Sequence, residues 1–127
     1  MSSIQQHKDS YILLLTSIFY FHGLDDIEEK ILDEIVVDLE ADEEYKWARS
    51  IVTQDIFSAF KRSEKILVEK LGNAPKEVKL EILERVWESS RKKGYISEIE
   101  ASSMLSLAKN WDIEDDLIAA LTKDKTA

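Results

Sequence analysis

Gly94-Tyr95-Ile96-Ser97-Glu98-Ile99-Glu100 has a near-copy earlier in the chain, Gly23-Leu24-Asp25-Asp26-Ile27-Glu28. Offset by 72 residues, Leu24–Glu28 lies on Ile96–Glu100, and the shared order is apolar, cap, acid, Ile, Glu. Each copy reads as a helix start. Asp25 or Ser97 is the N-cap, accepting from a free backbone N–H, and Glu28 or Glu100 reaches back from the third helical position. A glycine two or three residues before the cap lets the chain leave the preceding helix through left-handed space. The motif is a helix–turn–helix corner used twice.

Composition agrees with an all-α fold. The 127 residues include three glycines and one proline, too few for a turn-rich β fold. They suit a single domain, 1–127, with its own core. Cysteine is absent, which excludes disulfides and thiolate metal sites and fits a reducing, cytoplasmic setting. The N-terminus lacks the basic and small-residue features of a signal peptide. The apolar run Tyr11–Phe21 is about half the length of a membrane span, so no direct membrane insertion is expected.

Charge is unevenly spread. Residues 25–44 carry a net −10, whereas 46–109 carry +4. A chain with net charge −9 lacks the Lys/Arg surplus that nonspecific nucleic-acid binding needs. The acidic stretch suits a divalent cation or a basic protein partner.

In chain order, residues 1–7 read as a frayed end. A first helix over about 8–22 is apolar nearly all round through Ile12–Leu15, Ile18, Phe19 and Phe21, the signature of a central helix. A second, about 25–41, carries the stripe Ile27, Ile31, Leu32, Ile35, Val36 and Leu39. Asp42 is the expected cap of a third helix bearing Tyr45, Trp47, Ala48, Ile51 and Val52. The pattern then continues, as one bent helix or two broken near Thr53, through Ile56, Phe57, Phe60 and Leu67 to a stop at Gly72. Pro75 opens a helix to about Lys92 with Val78, Ile82, Leu83, Val86 and Trp87 inward. The second corner leads into 98–110, with Ile99, Met104, Leu105, Leu107 and Ala108 inward. A short last helix packs Ile113, Leu117, Ile118 and Leu121 before a polar tail over 122–127. The total is about six helices.

The same 72-residue offset pairs Leu32 with Met104, Ile35 with Leu107, Val36 with Ala108 and Leu39 with Trp111. An internal duplication follows from it: repeat 1 over about 10–41, connecting helices over 42–72, and repeat 2 over about 75–121.

Ile82-Leu83-Glu84-Arg85-Val86-Trp87, then Lys93-Gly94-Tyr95-Ile96-Ser97 and Glu100, then Leu105, Leu107-Ala108 and Ile113 together resemble the tellurite-resistance TerB family. That family's pattern is an apolar helix, Asp-Gly-x-Ile-x-x-x-Glu and a second apolar helix, arranged twice. The resemblance covers roughly residues 10–41 and 78–121. It implies a small bacterial, cytosolic, stress-associated helical protein with corner acids that bind divalent metal. This chain departs from the pattern where the family has Asp before Gly, with His22 and Lys93 in its place.

Lys93 is expected to repel a cation at the second corner. The first corner retains His22, Asp25, Asp26, Glu28 and Glu29 as candidate ligands for a weak divalent-cation site, although Glu28 and Glu100 are also explained as capping-box partners. Residues 89–100 also fit an EF-hand loop at Gly94, Ile96 and Glu100, but Arg91 and Lys93 stand where calcium ligands belong. Two histidines and no glycine-rich phosphate loop give little basis for catalysis, so a non-enzymatic protein with no cofactor is expected.

Three readings result. The leading one is a TerB-like stress-response or binding module acting through the acidic second helix. In the second, an immunity- or inhibitor-type protein covers a basic site by charge complementarity. The third is an oligomerising adaptor with exposed Phe21, Tyr45 or Trp47. Candidate partner-binding residues are Asp33, Glu34, Asp38, Asp42, Glu43 and Glu44.

Overall fold

In the computed structural model, residues 3–21 and 23–125 are described, and among them every regular element is helical. Eight α-helices follow in order: α1 Ser3–Gln6, α2 Lys8–Phe19, α3 Asp26–Leu39, α4 Asp42–Val52, α5 Ala59–Lys70, α6 Lys76–Arg91, α7 Glu98–Asn110 and α8 Glu114–Lys125. A 3₁₀ turn, Ile56–Ser58, links α4 to α5.

The count exceeds six for two local reasons. Residues 3–6 are not frayed, because Ile4 is buried and α1 packs on α6. The stretch after Trp47 is two helices. Thr53 ends α4, and the Asp55 side chain accepts from the Phe57 N–H at 3.2 Å to start the 3₁₀ turn. That turn sends Phe57 wholly into solvent, against the inward position expected of it. At the far end the helix runs on through Lys125, replacing the expected polar tail. Residues 126–127 lie outside the described residues.

Helix α2 is the axis of the core. Every residue from Ser10 to Phe19 is buried, and α3, α4, α5 and α6 all pack on it. This accounts for apolar residues on nearly all its sides and for the absence of charge from Ser10 to Phe19. Helix α6 carries the second half of the core, with Ile82, Leu83 and Val86 fully buried and α7 and α8 against it. Glu64 of α5 ties in α7, its Oε2 accepting from Ser106 Oγ at 2.9 Å and Asn110 Nδ2 at 3.0 Å.

Correspondence at the 72-residue offset extends past the corners. Glu40 and Asp112 are the non-glycine residues with positive φ, 52° and 61°. Behind each, the same closing bond forms: Val36 O accepts from Ala41 N–H and Ala108 O from Ile113 N–H, both at 2.9 Å. These bonds satisfy the last carbonyls of α3 and α7. Ala41, not Asp42, therefore becomes the N-cap of α4. Three acids open the next helix each time, Asp42-Glu43-Glu44 in α4 and Glu114-Asp115-Asp116 in α8.

Candidate functional site

Both corners form complete capping boxes. Asp25 Oδ1 accepts from Glu28 N–H at 2.7 Å and Glu28 Oε1 from Asp25 N–H at 3.2 Å. Ser97 Oγ accepts from Glu100 N–H at 3.3 Å and Glu100 Oε1 from Ser97 N–H at 2.8 Å. Gly23 and Gly94 enter these corners at φ of 82° and 105°, a region costly for any residue with a Cβ.

The capping boxes also fix helix phase. With the third residue turned inward, the second points about 100° away. Ile27 and Ile99 are accordingly 57% and 43% exposed, correcting their expected place in the core. Ile118 is likewise exposed, with Leu117 beside it taking the buried position.

Lys93 lies between the two boxes. Its ammonium pairs with Glu28 Oε2 at 3.4 Å and with Glu100 Oε2. The three side chains are only 4%, 10% and 4% exposed. Each glutamate thus uses one oxygen for its cap and the other for the shared ammonium. The Phe19 and Tyr95 rings sit 5.1 and 5.2 Å from that nitrogen, a further attraction for a cation. Burial nonetheless pushes the Glu28 carboxyl above the usual range, outweighing the opposing pull of the Asp25 amide and Lys93. Lys93 is an internal cation that joins two corners 65 or more residues apart in sequence.

The candidate metal ligands are not gathered. Glu28 faces Lys93, Asp25 caps its helix, and Asp26 and Glu29 are exposed. His22 lies outside the described residues. Among the described residues no group of three or more His, Asp or Glu side chains converges to hold a metal.

The candidate partner-binding acids lie on α3 and the first turn of α4. Asp33, Glu34, Asp38, Asp42 and Glu43 are exposed and Glu44 is half-buried. Helix α3 borders only α2 and α4 among its principal neighbours, so its outward side is open. Along it run Ile27, Lys30, Glu34 and Val37 at heptad-like spacing, with Val37 72% exposed. The one ion pair on this face, among the described residues, is Glu43–Lys46 at 3.9 Å between exposed side chains, a weak contact. Tyr45 at its edge has its hydroxyl pushed up to about 12, first by burial and then by Tyr20, against the pull of Arg49.

Sequence reading missed Lys93 as an organiser and the exposure of Val37 and Phe57. No helix among the described residues is long and apolar enough to cross a membrane. Comparisons with protein-family models, curated proteins and solved structures find no match to this chain.

Proposed function

We propose that this protein is a non-enzymatic binding module whose α3–α4 face docks a basic, amphipathic segment of a partner protein. The observation that carries the reading is the outward stripe of α3. There Ile27 and Val37 are exposed among Asp26, Glu29, Asp33, Glu34 and Asp38. Acids steer a basic partner, and the two apolar side chains give it area to bury. Lys93 favours a metal-independent role, since its ammonium already takes the place between the inward carboxylates of the corners where a cation would sit. An internal duplication into α2–α4 and α6–α8, as in TerB-like proteins, is part of this proposal. The matched capping boxes and helix ends support it.

The test is calorimetric titration with a helical Leu/Lys peptide and its Leu/Glu counterpart. The Leu/Lys peptide should bind, more weakly as salt rises, and Val37→Asp should weaken it although the variant is more acidic. Tighter binding by Val37→Asp would mean charge attraction alone, and would refute the docking face.

An adaptor role has its own observation. Phe57 is fully exposed on a turn pinned by Arg62, which donates to Ile51 O at 2.6 Å, Asp55 O at 2.8 Å and Ser58 Oγ at 2.9 Å. Such a fixed aromatic is a ready anchor, and a mass change on Phe57→Ser in light scattering would favour that role.

A further inference from the structure

Between α6, α7 and α8 lies an open cavity of about 620 Å³, within the roughly 300–1,000 Å³ spanned by small-ligand sites. Trp87, Tyr95, Ile96, Leu105 and Ile118 form its walls, and Arg91 is the charged residue among those lining it. Tyr95 and Ile118 are 61% and 47% exposed, an arrangement that leaves apolar area in water. Trp87 and Ile96 correspond to apolar Leu15 and Leu24 at the 72-residue offset, but the apolarity of the other walls is particular to this half of the chain. At the 72-residue offset, Leu105, Ile118 and Leu121 correspond to Asp33, Lys46 and Arg49 in the first unit. The same positions there are polar.

The charge at the rim decides what fits. That charge is Arg91, the last residue of α6. The guanidinium meets Glu88 at 3.0 Å, with both side chains more than half exposed. A surface pair of this kind contributes little and yields readily to another anion. We propose that this cavity binds an amphiphilic anion, a long-chain monocarboxylate whose apolar chain lies against Trp87, Leu105 and Ile118 and whose carboxylate meets Arg91. The proposal is independent of the α3 face.

Dodecanoate below its micellar concentration is the probe, followed by calorimetry for stoichiometry and by tryptophan emission for location. Dodecyltrimethylammonium serves as the oppositely charged chain. One dodecanoate should bind per protein, with an emission change that vanishes in Trp87→Phe. Arg91→Gln should weaken it about tenfold, the size of a lost charge-assisted hydrogen bond. Ile118→Asp, at an exposed position that leaves the core untouched, should abolish binding. Val37→Asp should leave it unchanged. Equal affinity for dodecyltrimethylammonium, an emission change that survives Trp87→Phe, unaltered binding by Ile118→Asp, or no saturable binding would each overturn the proposal.

Discussion

Replacing Lys93 by methionine keeps most of the side chain's apolar stem and removes its charge, leaving the inward oxygens of Glu28 and Glu100 facing each other. Those carboxylates are 10% and 4% exposed, and the cavity of about 110 Å³ that they line with Lys93 gives water only a small space from which to replace the ammonium. Removing one partner from a buried ion pair costs about 3–5 kcal/mol. With an ordinary total stability of about 5–15 kcal/mol, that is a large fraction. For a domain of this size it lowers Tm by roughly 10–20 °C. The deficit must also depend on pH. The Glu28 carboxyl already titrates above its ordinary value, so the folded state holds this proton more tightly than the unfolded state. Its contribution to stability is full below the ordinary carboxylate range and lost as pH rises through the raised value. Without Lys93 that value rises further. Urea melts should therefore show the Lys93→Met deficit largest near pH 8 and smaller near pH 5. Adding Glu28→Gln and Glu100→Gln should recover much of it, since glutamine still accepts the capping N–H. A deficit under about 1 kcal/mol, or one unchanged between pH 5 and pH 8, would refute the buried cluster.

Ser97→Ala should cost about 1 kcal/mol through loss of the cap, read from the urea midpoint. Met104→Ala, at a fully buried position, should cost about 2–5 kcal/mol, whereas Ile99→Ala, at an exposed one, should cost under about 1 kcal/mol. The same melts compare the two. Tyr45 holds its proton more tightly when folded, so its contribution to stability is complete below about pH 10 and lost as pH rises toward about 12. In an ultraviolet titration of the tyrosinates, Tyr45→Phe should remove a late step, and an unchanged curve would contradict this.

What was legible in the sequence was local. A capping box lies within four consecutive residues, so Asp25/Glu28 and Ser97/Glu100 declared both corners, and one offset of 72 residues relates them. The nearly all-round apolarity of Ile12–Phe19, interrupted by Thr16 and Ser17, identified the central helix for the same reason, because burial on all sides leaves no charged face. Convergence was not legible. Nothing in Lys93 itself indicates that it turns between Glu28 and Glu100, because that depends on how α2, α3, α6 and α7 pack. Proximity to acids in the folded chain reversed the reading of this lysine from a defect in a metal site to the charge that completes the cluster. Helix phase posed a similar difficulty. Ile27 and Ile99 fit an apolar stripe by spacing, yet the inward pull on the next residue turns them out. The helix ends at Glu40 and Asp112 escaped notice because neither is glycine, although both adopt the conformation that glycine usually supplies.

The central functional claim, that α3 and the start of α4 form the docking face, is tested most directly by amide NMR during titration with the Leu/Lys peptide. Shifts should concentrate in residues 26–44 and leave 98–110 unmoved. Shifts spread evenly over the acidic surface, or centred on α7 and α8, would contradict it.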